Sequence, residues 1–333
     1  MPPPSAPLQK TTNVVAVHDI PIECDVYDAV DYPSTTPVFL FFHSGGLAAG
    51  ARNMIPPWLV QTCFARKWPL VSASYRLLPQ VDGNGLLADA RAAYSFAQSL
   101  NTATPQSPSK VVVGGASAGF FLAALVAHHL SPPPLALLSI TGIPTFRHSF
   151  FNSSTLIPPE PITEDEIALF VSEPVTVGRH IFDPSGVFSL ASLLPSGAKN
   201  PSFQPDKKLP EGFTEDPARG LLFDYYLYEN LFLDLVGSVD PGFDWAAADE
   251  AKLGKWPMTI FFHGDDDDDV NLDVCTSVVK SLGDRAQFFM AKGQGHLFEK
   301  AYFLEDLGED RNTPLGAVLK AIDALDRVVA GQS

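Results

Sequence analysis

One stretch constrains this chain more than any other. In VVVGGASAGFFLAAL, Val111 to Leu125, a run of β-branched residues passes through a glycine-flanked serine straight into an alanine-rich helical pattern. The apolar run is continuous, too short for a helix and closed by glycines, which is the signature of a strand covered on both faces. A strand covered on both faces implies a parallel sheet with helices packed on each side.

The rest of the chain supplies the other strands. PVFLFFH (Pro37 to His43), PLVSASY (Pro69 to Tyr75), LALLSIT (Leu135 to Thr141), PMTIFFH (Pro257 to His263) and AQFFMA (Ala286 to Ala291) are similar runs. NVVAVHDIPIECDVY, Asn13 to Tyr27, mixes β-branched with polar residues around a proline and reads as an antiparallel pair at the sheet edge. Between the runs, MIPPWLVQTCFARK and LLADARAAYSFAQSL place apolar residues every three to four positions, and a closing helix is expected over Pro314 to Val329. Strand–helix alternation of this kind predicts right-handed crossovers and a mostly parallel eight-stranded sheet flanked by helices.

After LALLSIT the alternation stops and resumes at PMTIFFH. The interruption is rich in Pro, Phe, Ser and acidic residues, with helical pieces at EDEIALFV and LLFDYYLYENLFLDLV. Resumption of the same pattern argues for an insertion, so the expected organisation is a core of residues 1–143 and 255–333 and an inserted, largely helical cap over residues 144–254.

With 46% hydrophobic and 18% charged residues, the chain can bury a large core, as a globular enzyme does. Its net charge of −16 repels nucleic acid and anionic membrane surfaces, so neither is an expected partner. Cys24, Cys63 and Cys275 are far apart and odd in number, which suits neither a disulfide framework nor a CxxC site and points to a reducing, cytoplasmic compartment. No apolar run approaches the roughly 18 residues of a membrane span, and MPPPSAPLQK has no apolar core of a signal peptide. Its prolines suggest a short extended tail. The oligomeric state is not encoded legibly, and a homodimer stays open.

The chemistry begins at GASAG, Gly115 to Gly119. It fits G-x-S-x-G between a buried strand and a helix, the context in which a strained turn exposes a nucleophilic serine, Ser117. A serine needs a base, and the expected chain order is serine, acid, histidine. His296, in GQGHLFE after the strand AQFFMA, is the candidate base. The acid must come from the run Asp265 to Asp269 after PMTIFFHG, where several carboxylates compete and Asp267 is favoured over Asp266. The other aspartates read as a solvated loop; calcium is disfavoured because the run lacks the glycine and terminal glutamate of an EF-hand loop. HSGG, His43 to Gly46, closes its strand with glycines, so the amides of Gly45 and Gly46, with that of Ala118, are the expected donors to a developing oxyanion.

These motifs resemble the hormone-sensitive-lipase-like branch of the α/β-hydrolases, the α/β-hydrolase fold-3 carboxylesterases. HSGG corresponds to the family's HGGG, SASYRLLP (Ser72 to Pro79) to its YRLAPE, and VGGASAGFFLAAL to its elbow and following helix. HGDDDDDV is similar to the HGxxDxxV acid loop of related esterases, which selects Asp267. Ser44 departs from the first glycine of HGGG, and Gln80 stands where the family often has an acid.

The resemblance implies an α/β-hydrolase fold and hydrolysis of a carboxylic ester through an acyl-enzyme. In that scheme Ser117 attacks, His296 carries the proton, Asp267 orients His296, and His43 holds the oxyanion loop; no metal or organic cofactor is required. Cap aromatics suggest a small apolar or aromatic substrate, although Phe150, Phe151, Tyr225, Tyr226 and Tyr228 fit core packing better than a pocket. The same residues would also serve an amidase, an arylformamidase-like enzyme, a lactonase or an acyl-chain-cyclising enzyme. A non-catalytic small-molecule receptor is the rival of another class.

Overall fold

The computed structural model describes residues 6–100, 109–205 and 208–331. In chain order the strands are β1 (Gln9–His18), β2 (Ile20–Asp28), β3 (Val38–Phe42), β4 (Gly50–Ala51), β5 (Leu70–Ala73), β6 (Val111–Ala116), β7 (Ala136–Ile140), β8 (Arg179–Ile181), β9 (Thr214–Glu215), β10 (Met258–Gly264) and β11 (Ala286–Ala291). Eight of them form one sheet in the order β1-β2-β5-β3-β6-β7-β10-β11. Pairing is antiparallel at β1–β2 and β2–β5 and parallel from β5 to β11. The mostly parallel eight-stranded sheet read from the sequence is therefore present. Its antiparallel edge starts at Gln9, earlier than the apolar pattern shows, because the outer strand is largely exposed there. Met1 to Ser5, the start of the expected tail, lie outside the described residues.

The continuous apolar runs resolve into two alternating faces. Along β3, Val38, Leu40 and Phe42 join one core, and Phe39 and Phe41 join the other. Helices α2 (Gly83–Ser99), α3 (Gly119–His129) and α8 (Leu272–Leu282) cover the first face. Helices α1 (Pro57–Arg66), α9 (Leu304–Leu307) and α10 (Gly316–Val329) cover the second. Strands with two buried faces need no polar side, which is why their sequences carry no alternation.

Between β7 and β10 the chain forms α4 (Glu164–Ser172), α5 (Leu221–Tyr228), α6 (Phe232–Val236), α7 (Glu250–Lys255), several single turns, β8 and β9. LLFDYYLYENLFLDLV is not one helix. It breaks at Asn230, whose φ of +59° an asparagine tolerates and whose side chain bonds the amide and hydroxyl of Ser154. Helix α3 is buried on all sides from Gly119 to Val126, with the sheet beneath it. Above it lie aromatics from the stretch between β7 and β10: Phe121 meets Phe146, which stacks on Phe232 at 4.4 Å. Strands β8 and β9 join β4 in a second sheet, so the chain between β7 and β10 is hydrogen-bonded to the segment just after β3. Among the described residues no helix is long and apolar enough to cross a membrane.

Candidate active site

Ser117 follows β6 directly, with φ at +52°. A serine in this region costs on the order of 1–3 kcal/mol, so the surroundings must impose it. They do so through three bonds: Ser117 N donates to Ile140 O at 3.0 Å, and Ser117 O accepts from Phe120 N at 3.0 Å and Ile143 N at 2.9 Å. The flanking glycines are dictated by close approach. A Cβ on Gly115 would lie 2.3 Å from the Gly119 carbonyl carbon, and one on Gly119 would lie 2.3 Å from Phe42 O.

The loops after β10 and β11 are pressed together. A Cβ on Gly264 would meet Gln294 O at 1.9 Å, and Asp266 N donates to Gln294 O at 3.1 Å. The Asp265 carboxylate accepts from Gly293 N. This stitching brings Asp267, and not Asp266, against His296: Asp267 Oδ2 is 2.8 Å from His296 Nδ1. His296 Nε2 lies 2.9 Å from Ser117 Oγ.

Asp267 is held from every side. Its Oδ1 accepts from Asp269 N at 3.1 Å and Val270 N at 2.8 Å. Its Oδ2 also lies 3.0 Å from Nε2 of His263, a fully buried histidine that donates as well to Val270 O. Burial alone would raise the Asp267 carboxyl, but the hydrogen bonds from His263 and His296 outweigh it and hold it well below the usual carboxylate range. An ionised carboxylate only accepts, so Nδ1 of His296 carries the proton and Nε2 is free to accept from the Ser117 hydroxyl. Sequence reasoning missed His263. Its only signal was position, one turn of chain before Asp267 at the end of a buried strand.

Across from Ser117, residues 43–49 form the other wall. The amides of Gly45, Gly46 and Ala118 donate to no carbonyl or side chain among the described residues, which leaves three free donors beside the serine. His43 is fully buried, stacks on Tyr75 at 4.2 Å, and donates through Nδ1 to Ser44 O at 2.8 Å. Tyr75 Oη donates back to His43 O at 2.9 Å. Burial pushes the His43 imidazole down to about 4, so it stays neutral. A Cβ on Gly178 would sit 2.1 Å from His43 Nε2, so inserted backbone packs directly on this ring.

A cavity of about 340 Å³ opens between these walls. Ser44, Gly45 and Gly46 line it from one wall, and Ser117 and His296 from the other. Phe182, Leu221, Phe223 and Asp224, from the chain between β7 and β10, line it as well, with Asp269. Burial, and the neighbouring Asp269, push the Asp224 carboxyl up to about 6. None of Phe150, Phe151, Tyr225, Tyr226 and Tyr228 lines the cavity; Phe151 and Tyr226 are in the core, in keeping with core packing. A larger hollow of about 780 Å³ lies at the opposite ends of the strands, between Tyr94, Lys110 and Trp256, and holds none of the candidate residues. Open parallel sheets carry their sites at the carboxyl ends of the strands, where Ser117, Asp267 and His296 all lie.

The architecture matches known structures over its whole length. An α/β hydrolase superfamily protein from Enterococcus faecalis aligns with a TM-score of 0.62 over 96% of this chain and 98% of its own, at 17% identity. The chain has the α/β-hydrolase fold. Carboxyl esterase 2 of Tuber melanosporum aligns as well, with a TM-score of 0.55 over 99% of this chain and 89% of its own, at 16% identity. A family model described as alpha/beta hydrolase fold matches residues 39–149, a span that includes Ser117 and Gly45 but neither Asp267 nor His296. Over that segment the resemblance read from HSGG, YRLLP and GASAG is borne out. Lipase 2 of Moraxella sp. (strain TA144) is 37% identical over 98 residues, 29% of this chain, and the match spans only 23% of the lipase's own length.

Proposed function

We propose that this α/β-hydrolase is a serine ester hydrolase acting on a small carboxylic ester through an acyl-enzyme. The observation that carries the proposal is the unbroken chain from Asp267 Oδ2 through His296, 2.8 and 2.9 Å long, to the oxygen of a strained, cavity-facing Ser117. Esterase and lipase relatives support the same reading.

In this mechanism Ser117 Oγ attacks the ester carbonyl as His296 Nε2 takes its proton. Asp267 stabilises the imidazolium that forms without itself taking the proton. The carbonyl oxygen becomes an anion and receives the free amides of Gly45, Gly46 and Ala118; one such donor is commonly worth about 3 kcal/mol in the transition state. His296 then gives its proton to the leaving alkoxide, and a water activated by the same imidazole releases the acid. Every step is carried by side chains and amides of this chain.

Residues 144–254 act as the cap over a core of residues 1–143 and 255–333, because Phe182, Leu221 and Phe223 wall the cavity from above. That wall favours a compact apolar acyl or alcohol group, with Asp224 offering one polar contact. The three cysteines are buried and unpaired, which fits a reducing cytoplasmic setting. A panel of 4-nitrophenyl esters, anilides and lactones graded by acyl length tests the proposal. Short esters are expected to turn over and Ser117→Ala to lose about 10⁴-fold or more in kcat. Equal turnover by Ser117→Ala would overturn the proposal, and preferential cleavage of anilides or lactones would favour the amidase or lactonase reading.

A further inference from the structure

The loop bearing Gly45 and Gly46 has to hold unpaired amides in place, and its anchor is a buried cation contributed by the inserted segment. Arg219 is completely buried. Its Nε donates to Ala48 O at 2.7 Å, and its Nη2 donates to Leu78 O at 3.2 Å and Gln80 Oε1 at 2.8 Å. Its Nη1 pairs with Glu173, at the end of α4. One guanidinium thereby ties the loop after β3 to the Leu77–Gln80 segment, two stretches already joined by Leu78 N donating to Leu47 O at 2.9 Å.

The tie bears on the free amides. Ala48 N and Ala49 N both donate to Gly45 O, at 3.0 and 2.8 Å, so fixing Ala48 fixes the turn that sets how Gly45 and Gly46 face Ser117. Arg219 is itself aimed by the insertion. Its amide donates to Asp216 Oδ1 at 3.3 Å, and Asp216 N donates to Ile181 O at 2.9 Å on β8. A buried guanidinium needs a carboxylate partner. Gln80 supplies only an amide oxygen, and Glu173 supplies the charge from another part of the chain. Lysine cannot replace the fork, because four bonds to four different acceptors require the planar guanidinium.

We infer that Arg219, charge-paired with Glu173, is a positioning residue that holds the oxyanion amides of Gly45 and Gly46 in register with Ser117. The inserted segment is then part of the oxyanion site as well as its roof. This rests on the ester-hydrolase reading for its kinetic consequence but not for its structural one.

The test compares the full-length protein with Arg219→Lys, Glu173→Gln and Glu173→Gln/Gln80→Glu. Arg219→Lys is expected to lower kcat about 100-fold, the loss typical of a misplaced oxyanion donor, with KM changed less than about threefold. Affinity for a trifluoromethyl ketone, which places an oxyanion in the site, should fall in parallel. Glu173→Gln should lose about 10-fold, and adding Gln80→Glu should restore most of it by returning a carboxylate to the guanidinium. Amide hydrogen exchange over residues 44–50 should quicken about 10-fold in Arg219→Lys while that of α3 stays constant. Unchanged kcat, an equal rise in KM, or no rescue by Gln80→Glu would overturn the inference. Should the wild type prove inactive on esters, the function proposal fails alone, and unchanged exchange over residues 44–50 would separately overturn the positioning role.

Discussion

The elbow that carries Ser117 and the loop that carries Gly45 and Gly46 face each other across one cavity, yet they are held by different means. The elbow is held mainly by its own neighbourhood: the end of β6, the start of α3, the end of β7 and the mutual fit of Gly115 and Gly119. The loop of Gly45 and Gly46 is held by remote residues: Tyr75 and Gly178 around His43, and Arg219, 171 positions beyond Ala48. Steric necessity over a few residues fixes the first, and a network of buried polar groups fixes the second. Changes on the first side should therefore abolish chemistry or folding, whereas changes on the second should misplace donors and leave partial activity.

The largest expected effect lies on the elbow side, where in the proposed mechanism Asp267 orients His296. Asp267→Asn keeps the shape but cannot hold Nδ1 of His296 protonated toward it, so kcat is expected to fall about 10⁴-fold. Asp266→Asn, whose side chain is exposed, should stay within about threefold of wild type. A crippled Asp266→Asn with an active Asp267→Asn would break the assignment. The hundredfold loss expected for Arg219→Lys lies below this, as a remote support should.

That contrast also explains what the sequence made legible. VVVGGASAGFFLAAL contains strand, turn and helix in one stretch, so Ser117 and its glycines could be read locally. His296 followed from chain order, and Asp267 from the form of HGDDDDDV. HSGG was legible as a glycine turn, but its supports were not, because nothing local marks Arg219 or Glu173 as partners of Ala48 and Gln80. Aromatics at helical spacing, such as Phe151 and Tyr226, pack in the core, and the cavity is walled instead by Phe182, Leu221 and Phe223. The break at Asn230 depends on a contact with Ser154, which no helical periodicity reports.

The smallest effect sits at the seam between the two sides. Glu299 is fully buried, neither carboxyl oxygen bonds another residue among the described residues, and it lines a small cavity with Ser44 of the glycine loop and Ala116 of the elbow. Burial pushes its carboxyl up from 4.5 to about 7, opposed first by its own backbone amide and then by His296 and Lys300. The folded state thus holds this proton more tightly than the unfolded chain. The resulting stability is fully present below about pH 4.5 and is lost as pH rises through about 7. Urea unfolding at pH 5 and pH 8 should show the wild type losing about 2 kcal/mol more than Glu299→Gln over that interval. An equal loss in both proteins would remove Glu299 from the seam's energetics.

The central claim, that Ser117 is an activated nucleophile, is tested most directly by treating the folded protein with a fluorophosphonate and mapping the modified peptide. A single adduct on Ser117, absent from the unfolded chain and slowed by orders of magnitude in Asp267→Asn and His296→Ala, is the predicted result. A folded wild-type protein that takes no label, or takes it on another residue, would contradict the claim.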